Sequence, residues 1–342
     1  MLDQAIRLIS NDLSIDLGTC NTLVHVAGRG VVVEEPSVVA ISKAKSGSQV
    51  VAFGLEAKRM LGRTPQHINT AYPIENSAVN DFPMAAALLD ACIQRALGRK
   101  PMIGPRVVIP VGRDLEETKR RGIADLARAV GCRDVILVDS LMAAAKGCEL
   151  AIGDPVGNCV VDIGGSTTRA GVITLGGIAA SASITTGGNA IDRAIVDWIK
   201  TEHQVLVGAR TAEELKMFIG SAIKPSEVRE TQVTGRDINE GIPREVTISN
   251  SDVYEAIQIP LQTIVGCIQQ ALSKTPPELA ADIHDHGILL CGGGSLLVGM
   301  AEYLRQVTKL PILVPEDPRR CIAAGANQLL TDATLLKRAR LQ

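Results

Sequence analysis

The chain has 342 residues, too many for one compact core, and its length predicts two domains. Hydrophobic residues make up 46% of it and charged residues 21%, which is the ordinary balance of a globular protein. The net charge is −2 and aromatic residues are only 2%, so the chain lacks both the positive field and the stacking platforms that nucleic-acid binding uses. We therefore expect no nucleic-acid partner.

The cysteines and the apolar segments predict a cytoplasmic protein. The eight cysteines are scattered, with no CxxC pair and no Cys/His cluster, which argues against a disulfide framework and against a zinc site. No apolar run is long enough to cross a bilayer, and no signal peptide is evident. Residues 1–9 carry apolar side chains at helical spacing, among them Leu2 and Ile6, and are a candidate contact with a membrane surface. The basic, apolar segment 335–341 is a weaker candidate.

The first chemically informative segment is an apolar strand that ends in an acid and runs into a glycine turn. Residues 13–17 contain Asp16, and a second strand follows after the turn formed by Gly18, Thr19, Cys20 and Asn21. A tight glycine turn points several backbone N–H groups into one concavity, which suits phosphate oxygens. The aspartate can hold a hydrated divalent cation that neutralises the phosphates.

Strand-like and helix-like segments alternate along the chain, which predicts an α/β architecture. The strand-like runs are 31–33, 38–41, 106–110, 135–138 and 287–290. Asp114, with Glu117 three residues later, predicts a capped helix start, and Gly131 predicts that this helix ends near Val130. A small β insertion is expected at about 225–250.

The strand–turn–strand pattern returns in the second half of the chain. Residues 160–163 contain Asp162, and the turn that follows is formed by Gly164, Gly165, Ser166 and Thr167. One copy alone fits an ordinary β-hairpin with a polar turn equally well. Two copies in corresponding places favour a nucleotide polyphosphate with its metal ion, held by Asp16 and Asp162 between two related halves.

Two further segments are ambiguous by themselves. Glu213 and Lys216 share a face of a predicted helix and could hold a ribose and the edge of a base, although a surface ion pair is the simpler explanation. An apolar strand also leads into a glycine run, with a helix expected from Leu296; the run is Gly292, Gly293, Gly294 and Ser295. This run suits either an anion at a helix N-terminus or close packing, and it matches neither the P-loop nor the GxGxxG fingerprint.

Taken in order, these segments resemble the superfamily of actin, heat-shock chaperone and sugar kinase ATPases, and within it the MreB family of bacterial actins. The resemblance covers nearly the whole chain and includes residues 10–19, 35–41, 60–65 and 316–318. It implies the actin-like (ribonuclease H-like) α/β fold, with two duplicated domains, each of two subdomains, around a central nucleotide cleft. Domain I would comprise residues 1–147 and about 318–342, with a small subdomain at about 33–78. Domain II would comprise residues 148–317, with a small subdomain at about 182–247.

The same resemblance implies an ATP-binding cytoskeletal protein that takes part in cell shape. Its cofactors would be ATP and Mg²⁺, and its first partner would be itself, in homopolymer filaments. It would attach to the inner face of the cytoplasmic membrane and meet the membrane proteins of cell shape and cell-wall synthesis there. Glu213 and Lys216 would hold the adenosine, with Gly293 to Ser295 packed against it, and Gly188 and Asn189 would complete the site.

Two positions expected to orient or activate the attacking water depart from the family. The family carries Glu-Pro before Met-Ala-Ala-Ala, where this chain has Ser140 and Leu141, preceded by Asp139. Arg169 stands where the family has an acidic residue. A serine hydroxyl is a poor base at neutral pH, and Asp139 would substitute only after a backbone shift, because adjacent strand positions face opposite ways. Arg169 either stabilises phosphate charge or points to solvent. We therefore expect ATP to be bound but hydrolysed slowly or not at all.

The helix after residue 112 is a third departure. It carries two extra residues within 113–116, and it has Thr118 and Gly122 where the family prefers Val and Ala, in a surface that pairs protofilaments. Lateral pairing is therefore expected to be altered.

The alternatives on the same fold are a small-molecule kinase or other monomeric ATPase, and a chaperone ATPase. The sequence shows no added substrate-binding insertion, no Asp clearly placed as a base for a sugar hydroxyl, and no peptide-binding domain after the ATPase fold. The cytoskeletal interpretation is therefore preferred.

Overall fold

The structure is a computed structural model that describes residues 12–44, 47–98 and 103–341. Contacts within the chain divide it into two units. The first comprises Met1–Val160, Val172–Ala179 and Arg319–Gln342, and the second comprises Val161–Gly171 and Ala180–Pro318. The limits given above for the domains and subdomains stay predictions.

The secondary structure alternates between strands and helices, as the sequence predicts. Up to the second glycine hairpin the elements are β1 (Asp12–Leu17), β2 (Asn21–Val26), β3 (Gly30–Pro36), β4 (Val39–Ala44), β5 (Gly47–Phe53), α1 (Gly54–Met60), β6 (Ile68–Ala71), β7 (Ile74–Glu75), β8 (Ala78–Val79), α2 (Phe82–Leu97), β9 (Arg106–Val111), α3 (Glu117–Ala129), β10 (Asp134–Asp139) and α4 (Ser140–Gly147). From there they are β11 (Asn158–Ile163), β12 (Thr168–Thr174), β13 (Gly177–Ile184), α5 (Gly188–His203), β14 (Val205–Leu206), α6 (Ala209–Ile219), β15 (Glu230–Asp237), β16 (Pro243–Ser249), α7 (Asn250–Ala256), α8 (Gln258–Ser273), α9 (Pro277–His286), β17 (Ile288–Cys291), a 3₁₀ turn (Gly293–Leu296), α10 (Met300–Thr308), β18 (Ile312–Leu313), α11 (Cys321–Leu329) and α12 (Ala333–Ala339).

The first unit is built on a five-stranded sheet in the order β10-β9-β1-β2-β3. Strand β1 pairs antiparallel with β2 and parallel with β9, and β9 pairs parallel with β10. The apolar side chains of β1, such as Leu13 and Ile15, are fully buried in one core with Leu88 of α2 and Leu126 of α3. These buried side chains drive the packing of the helices on the sheet.

The second five-stranded sheet has the order β18-β17-β11-β12-β13. Its hairpin strands β11 and β12 occupy the same places as β1 and β2, and the parallel pair β17 and β18 stands where β9 and β10 stand. The internal repeat predicted from the sequence is therefore a repeat of sheet topology. Each copy places its glycine turn between the central strand of its sheet and the next strand.

Smaller sheets are attached to these two. Strands β5, β4 and β6 form one of them, and α1 packs on it through a small core that includes Val38 and Ala57. Strands β14, β15 and β16 form another, in which β15 and β16 are an antiparallel hairpin. The small β insertion predicted at about 225–250 is confirmed by this hairpin.

Two predicted helix starts are wrong. Helix α3 begins at Glu117 and ends near Val130 as predicted, but its N-cap is Glu116 and not Asp114. The chain makes a turn in which the Leu115 N–H donates to the Gly112 carbonyl oxygen (3.2 Å) and the Leu115 side chain is buried, so Asp114 lies outside the helix.

The glycine run after β17 does not open an α-helix at Leu296 either. It forms the 3₁₀ turn, and α10 starts only at Met300. Between them, Val298 bridges to Ser221 and Gly299 adopts a left-handed conformation (φ +73°), which breaks the helical path.

Candidate functional site

The glycine turn of the first unit is supported by the hydroxyl groups of Ser37 and Thr22. A Cβ atom on Gly18 would lie 2.6 Å from the Asn21 carbonyl oxygen, so only glycine fits there. The Ser37 hydroxyl donates to the Gly18 carbonyl oxygen (2.6 Å) and lies 2.9 Å from the Thr22 hydroxyl. Asp16, half-buried, precedes the turn on β1. The four predicted turn residues thus lie on one loop, which Ser37 supports by a hydrogen bond that the sequence analysis did not identify.

The glycine turn of the second unit is closed by a hydrogen bond from Gly164 N–H to the Thr167 carbonyl oxygen (2.8 Å). The N-terminus of α5 packs directly on it. Gly188 N–H donates to the Gly164 carbonyl oxygen (3.0 Å), and Asn189 N–H donates to the Gly165 carbonyl oxygen (2.7 Å). The structure therefore brings together the predicted residues of the turn and of the helix start. These two amides of α5 donate to carbonyl oxygens of the turn and so hold it in place.

A buried ion pair lies beside this second turn. Arg169 Nη1 is 4.0 Å from Asp162 Oδ2, and both side chains are less than 10% exposed. Burial raises the pKa of Asp162, and the Arg169 guanidinium opposes this shift. Arg169 therefore turns inward to the candidate metal ligand.

The glycine run after β17 packs against the same aspartate. Gly292 has a φ of +82°, and a Cβ atom there would lie 2.4 Å from Asp162 Oδ1. A Cβ atom on Gly294 would lie 2.2 Å from Ile163 Cγ2. The Ser295 hydroxyl is buried and donates to the Gly292 carbonyl oxygen (2.7 Å). Close packing against β11 is thus sufficient to explain Gly292 and Gly294, whereas a Cβ atom on Gly293 would meet nothing within 4 Å. The role of the run in holding a nucleotide stays a prediction.

Lys216 is held by an acid that the sequence analysis did not identify. Its Nζ lies 2.7 Å from Asp192 Oδ1 on α5 and donates to the Gly188 carbonyl oxygen (3.2 Å). Lys216 therefore joins α6 to the start of α5 at the second turn. Glu213 is half-buried one helical turn earlier on α6. Asp192 lies four residues after Gly188 on α5, so the two residues share a face of the helix. This spacing was the signal in the sequence that could have identified Asp192.

Asp139, at the end of β10, is held by hydrogen bonds to both of its carboxylate oxygens. Asp139 is the N-cap of α4: its Oδ1 accepts from Leu141 N–H (2.9 Å) and Met142 N–H (3.2 Å). Its Oδ2 accepts from Arg113 Nε (3.0 Å). Both carboxylate oxygens of Asp139 are thus engaged within the unit.

Ser140 is the first residue of α4, and the prediction that it occupies a strand position is wrong. The residue is 4% exposed, and its Oγ has no hydrogen-bond partner among the residues that the structure describes. Arg113, whose side chain holds Asp139, lies within the segment 113–116 in which the sequence analysis expects two extra residues.

The described residues hold neither a cluster of metal-ligating side chains nor a helix that could cross a membrane. Among residues 12–44, 47–98 and 103–341, no three His, Cys, Asp or Glu side chains are grouped so that they could hold a metal ion. In the same described part of the chain, no helix has the length and apolar character needed to cross a membrane. The predicted amphipathic segment 1–9 lies outside the described residues.

Comparisons with known proteins give consistent matches over nearly the full length. The family model described as MreB/Mbl protein matches residues 10–338. The cell shape-determining protein MreB of Escherichia coli (strain K12) is 42% identical over 333 residues, which cover 96% of each chain. The crystal structure of MreB 5 of Spiroplasma citri bound to AMPPNP is 32% identical, covers 95% of this chain and 97% of its own, and superposes with a TM-score of 0.89. The structure of MreB5 of the same organism bound to ADP is 33% identical, covers 96% and 98%, and has a TM-score of 0.88.

Proposed function

Because the chain belongs to the MreB/Mbl family of bacterial actin homologues, we propose that it is an ATP-binding protein that assembles into cytoskeletal filaments. The actin-like fold and the family predicted from the sequence are confirmed by these matches, and the chain is a cytoskeletal protein of the cell-shape type. The kinase alternative is not favoured.

The observation that carries nucleotide binding is the repeated hairpin. Each five-stranded sheet has a strand with an aspartate near its end, followed by a turn rich in glycine and hydroxyl residues, at the same place in the strand order. Such turns present N–H groups to phosphate oxygens. MreB5, with a TM-score of 0.89, binds AMPPNP, whose phosphate chain is that of ATP apart from one bridging atom. We assign the phosphates to residues 18–21 and 164–167, and the adenosine to Glu213 and Lys216.

We assign the Mg²⁺ that accompanies the nucleotide to Asp16. A carboxylate next to a phosphate turn fits the chemistry of Mg²⁺, which keeps most of its water shell and binds proteins through one or two carboxylates. When bound, the ion would offset phosphate charge. Asp16 would hold it through water.

We further propose that hydrolysis is slow. Ser140 offers a hydroxyl where a carboxylate would orient water, and the adjacent Asp139 is committed to Arg113 and to the cap of α4. Loss of a positioned general base typically lowers a rate by about 100- to 10,000-fold. Ser140→Glu should raise steady-state phosphate release by at least tenfold. The helix N-terminus at this position also favours an acidic side chain.

Phosphate release by Arg169→Glu, alone and combined with Ser140→Glu, shows which of the two positions limits hydrolysis. If the unmodified chain releases phosphate as fast as other MreB proteins measured alongside it, the proposal of slow hydrolysis is wrong. Circular dichroism of each variant shows whether the added carboxylate has disturbed the fold.

Filament formation is tested by sedimentation with ATP, with ADP and without nucleotide. We expect pelleting that depends on ATP and persists for hours, because slow hydrolysis keeps the ATP state. If the protein binds ATP but stays in the supernatant in all three conditions, it acts as a monomeric regulator or a kinase instead.

We propose altered lateral pairing of protofilaments through α3. Its exposed side carries the intrahelical ion pairs Arg121–Glu117 and Arg128–Asp125, so lateral contact would require desolvation of charge. Electron microscopy should show single protofilaments, and regular double filaments would contradict this proposal.

Membrane attachment through residues 1–9, at the inner face of the cytoplasmic membrane, completes the proposal, together with membrane proteins of cell shape and wall synthesis as partners. Cosedimentation with liposomes should be lost in Ile6→Glu and kept in the matched substitution Ile259→Glu, which lies on an exposed position of α8. Equal binding by both variants would exclude residues 1–9 as the anchor.

A further inference from the structure

The phosphate turn of the second unit carries its own cation. Asp162 lies two residues before Gly164 on β11, and Arg169 lies two residues after Thr167 on β12. Their side chains meet across the hairpin, with Arg169 Nη1 4.0 Å from Asp162 Oδ2. Both are buried, at 8% and 5% exposure of the whole residue.

This pair leaves Asp162 poorly suited to a metal ion. A hydrated Mg²⁺ needs room for its water shell and a carboxylate that is not already neutralised. On the Oδ2 side stands the guanidinium, and on the Oδ1 side the Gly292 backbone approaches so closely that no Cβ would fit. The surroundings of Asp162 therefore do not fit a divalent cation, although the sequence analysis proposed Asp162 as a metal ligand.

The Arg169 guanidinium can offset the negative charge of the phosphates, as a divalent cation would. Arginine stays protonated in proteins, is weakly hydrated compared with an ammonium group, and pairs with phosphate oxygens through several N–H groups. Arg169 lies two residues beyond the turn that we assign to phosphate, so its positive charge is placed beside that turn. Asp162 holds the side chain in that position.

We propose that Arg169, held by Asp162, takes the place of a divalent cation at this carboxylate, so that the chain binds the metal-free nucleoside triphosphate nearly as tightly as its Mg²⁺ complex. This inference rests on the proposed nucleotide site and adds its charge-neutralising residue. Mg²⁺ carried by the nucleotide can still meet Asp16, but binding does not require it.

The test is the affinity of the full chain for ATP, measured by calorimetry with Mg²⁺ and with EDTA. For the unmodified chain we expect the two Kd values to agree within about threefold. In Arg169→Gln the affinity in EDTA should fall by about 10- to 100-fold, the usual effect of losing one or two charge-assisted hydrogen bonds. In Mg²⁺ the loss should be much smaller, because the ion then offsets the phosphate charge.

Two further variants make the result specific. Arg169→Lys keeps the positive charge and should retain most of the binding in EDTA. Arg305→Gln removes the same charge from an exposed position of α10 and should change neither Kd. Thermal unfolding of each variant establishes that it is folded, and if Arg169→Gln does not fold, the comparison of Mg²⁺ with EDTA in the unmodified chain and in Arg169→Lys still decides the matter.

The outcomes separate this inference from the proposed function. No binding of ATP under either condition would remove the proposed nucleotide site itself. Binding by the unmodified chain that is lost in EDTA would overturn the role of Arg169 and leave the nucleotide site standing. Equal affinities of Arg169→Gln and the unmodified chain in EDTA would also overturn it.

Discussion

The contact between α4 and α11 gives a stability prediction that follows directly from atomic positions. A Cβ atom on Gly325 of α11 would lie 1.8 Å from the Ala143 carbonyl oxygen and 2.4 Å from the Gly147 nitrogen of α4. The approach is reciprocal, since a Cβ atom on Gly147 would lie 2.0 Å from the Cys321 carbonyl oxygen. All of these neighbours are backbone atoms, so no side-chain rotation can relieve the overlap. The two helices can only separate.

Gly325→Ala should therefore destabilise the first unit strongly. Restoring ordinary van der Waals contact would require the helices to separate by about 1.5 Å, which weakens packing along their whole contact. Overpacking typically costs about 1–3 kcal/mol, and we expect about 3 kcal/mol because nothing flexible can yield. For a unit of this size the midpoint of thermal unfolding should fall by roughly 6–12 °C. Because α4 begins at Ser140, a shift of α4 would also displace that hydroxyl.

The matched control is Gly122→Ala in α3, where a new Cβ atom meets nothing within 4 Å. This variant should be more stable by about 1 kcal/mol, because alanine has the higher helix propensity. Urea unfolding followed by circular dichroism measures both changes from the transition midpoint at constant slope. The steric reasoning is refuted if Gly325→Ala is within about 0.5 kcal/mol of the unmodified chain, or if both variants shift in the same direction.

The other predictions concern single side chains. Asp139→Asn should lower stability by about 1–2 kcal/mol, because the buried acceptor for Arg113 is lost, yet leave phosphate release within about twofold; a tenfold fall in release would make Asp139 the base. ATP should protect the Cys20 thiol, in the assigned phosphate turn, from alkylation, whereas the half-buried Cys148 should react equally with and without ATP. Mass spectrometry measures the labelling, and equal labelling of Cys20 with and without ATP would argue against the assigned turn. The pKa of Asp237 is lowered by two backbone N–H groups of the turn that follows it, so its charge stabilises the fold above the ordinary aspartate pKa and this contribution is lost as the pH falls through the lowered value. Asp237→Asn should thus be less stable at neutral pH and equally stable in strong acid, and a difference that persists in acid would contradict the assignment.

The sequence determined the elements whose causes are local. The two hairpins follow from apolar alternation over a few residues and from glycine turns, and the prediction placed Gly18 and Gly164 in tight turns as the structure has them. The end of α3 near Val130 follows from the glycine beside it. The family resemblance rests on the same kind of short, ordered segments, which is why it needed no knowledge of the fold.

Only the tertiary structure decided how the charged groups are used. Arg113 reaches Asp139 from 26 residues away, and Lys216 on α6 reaches Asp192 on α5. The same cause moved the start of α3 from Asp114 to Glu117, since the burial of Leu115 outweighed a local cap. Backbone turns are governed by neighbouring residues, whereas the partner of a long charged side chain depends on which strands and helices lie beside it. That arrangement is set by burial of the whole apolar core, and no short segment of sequence contains it.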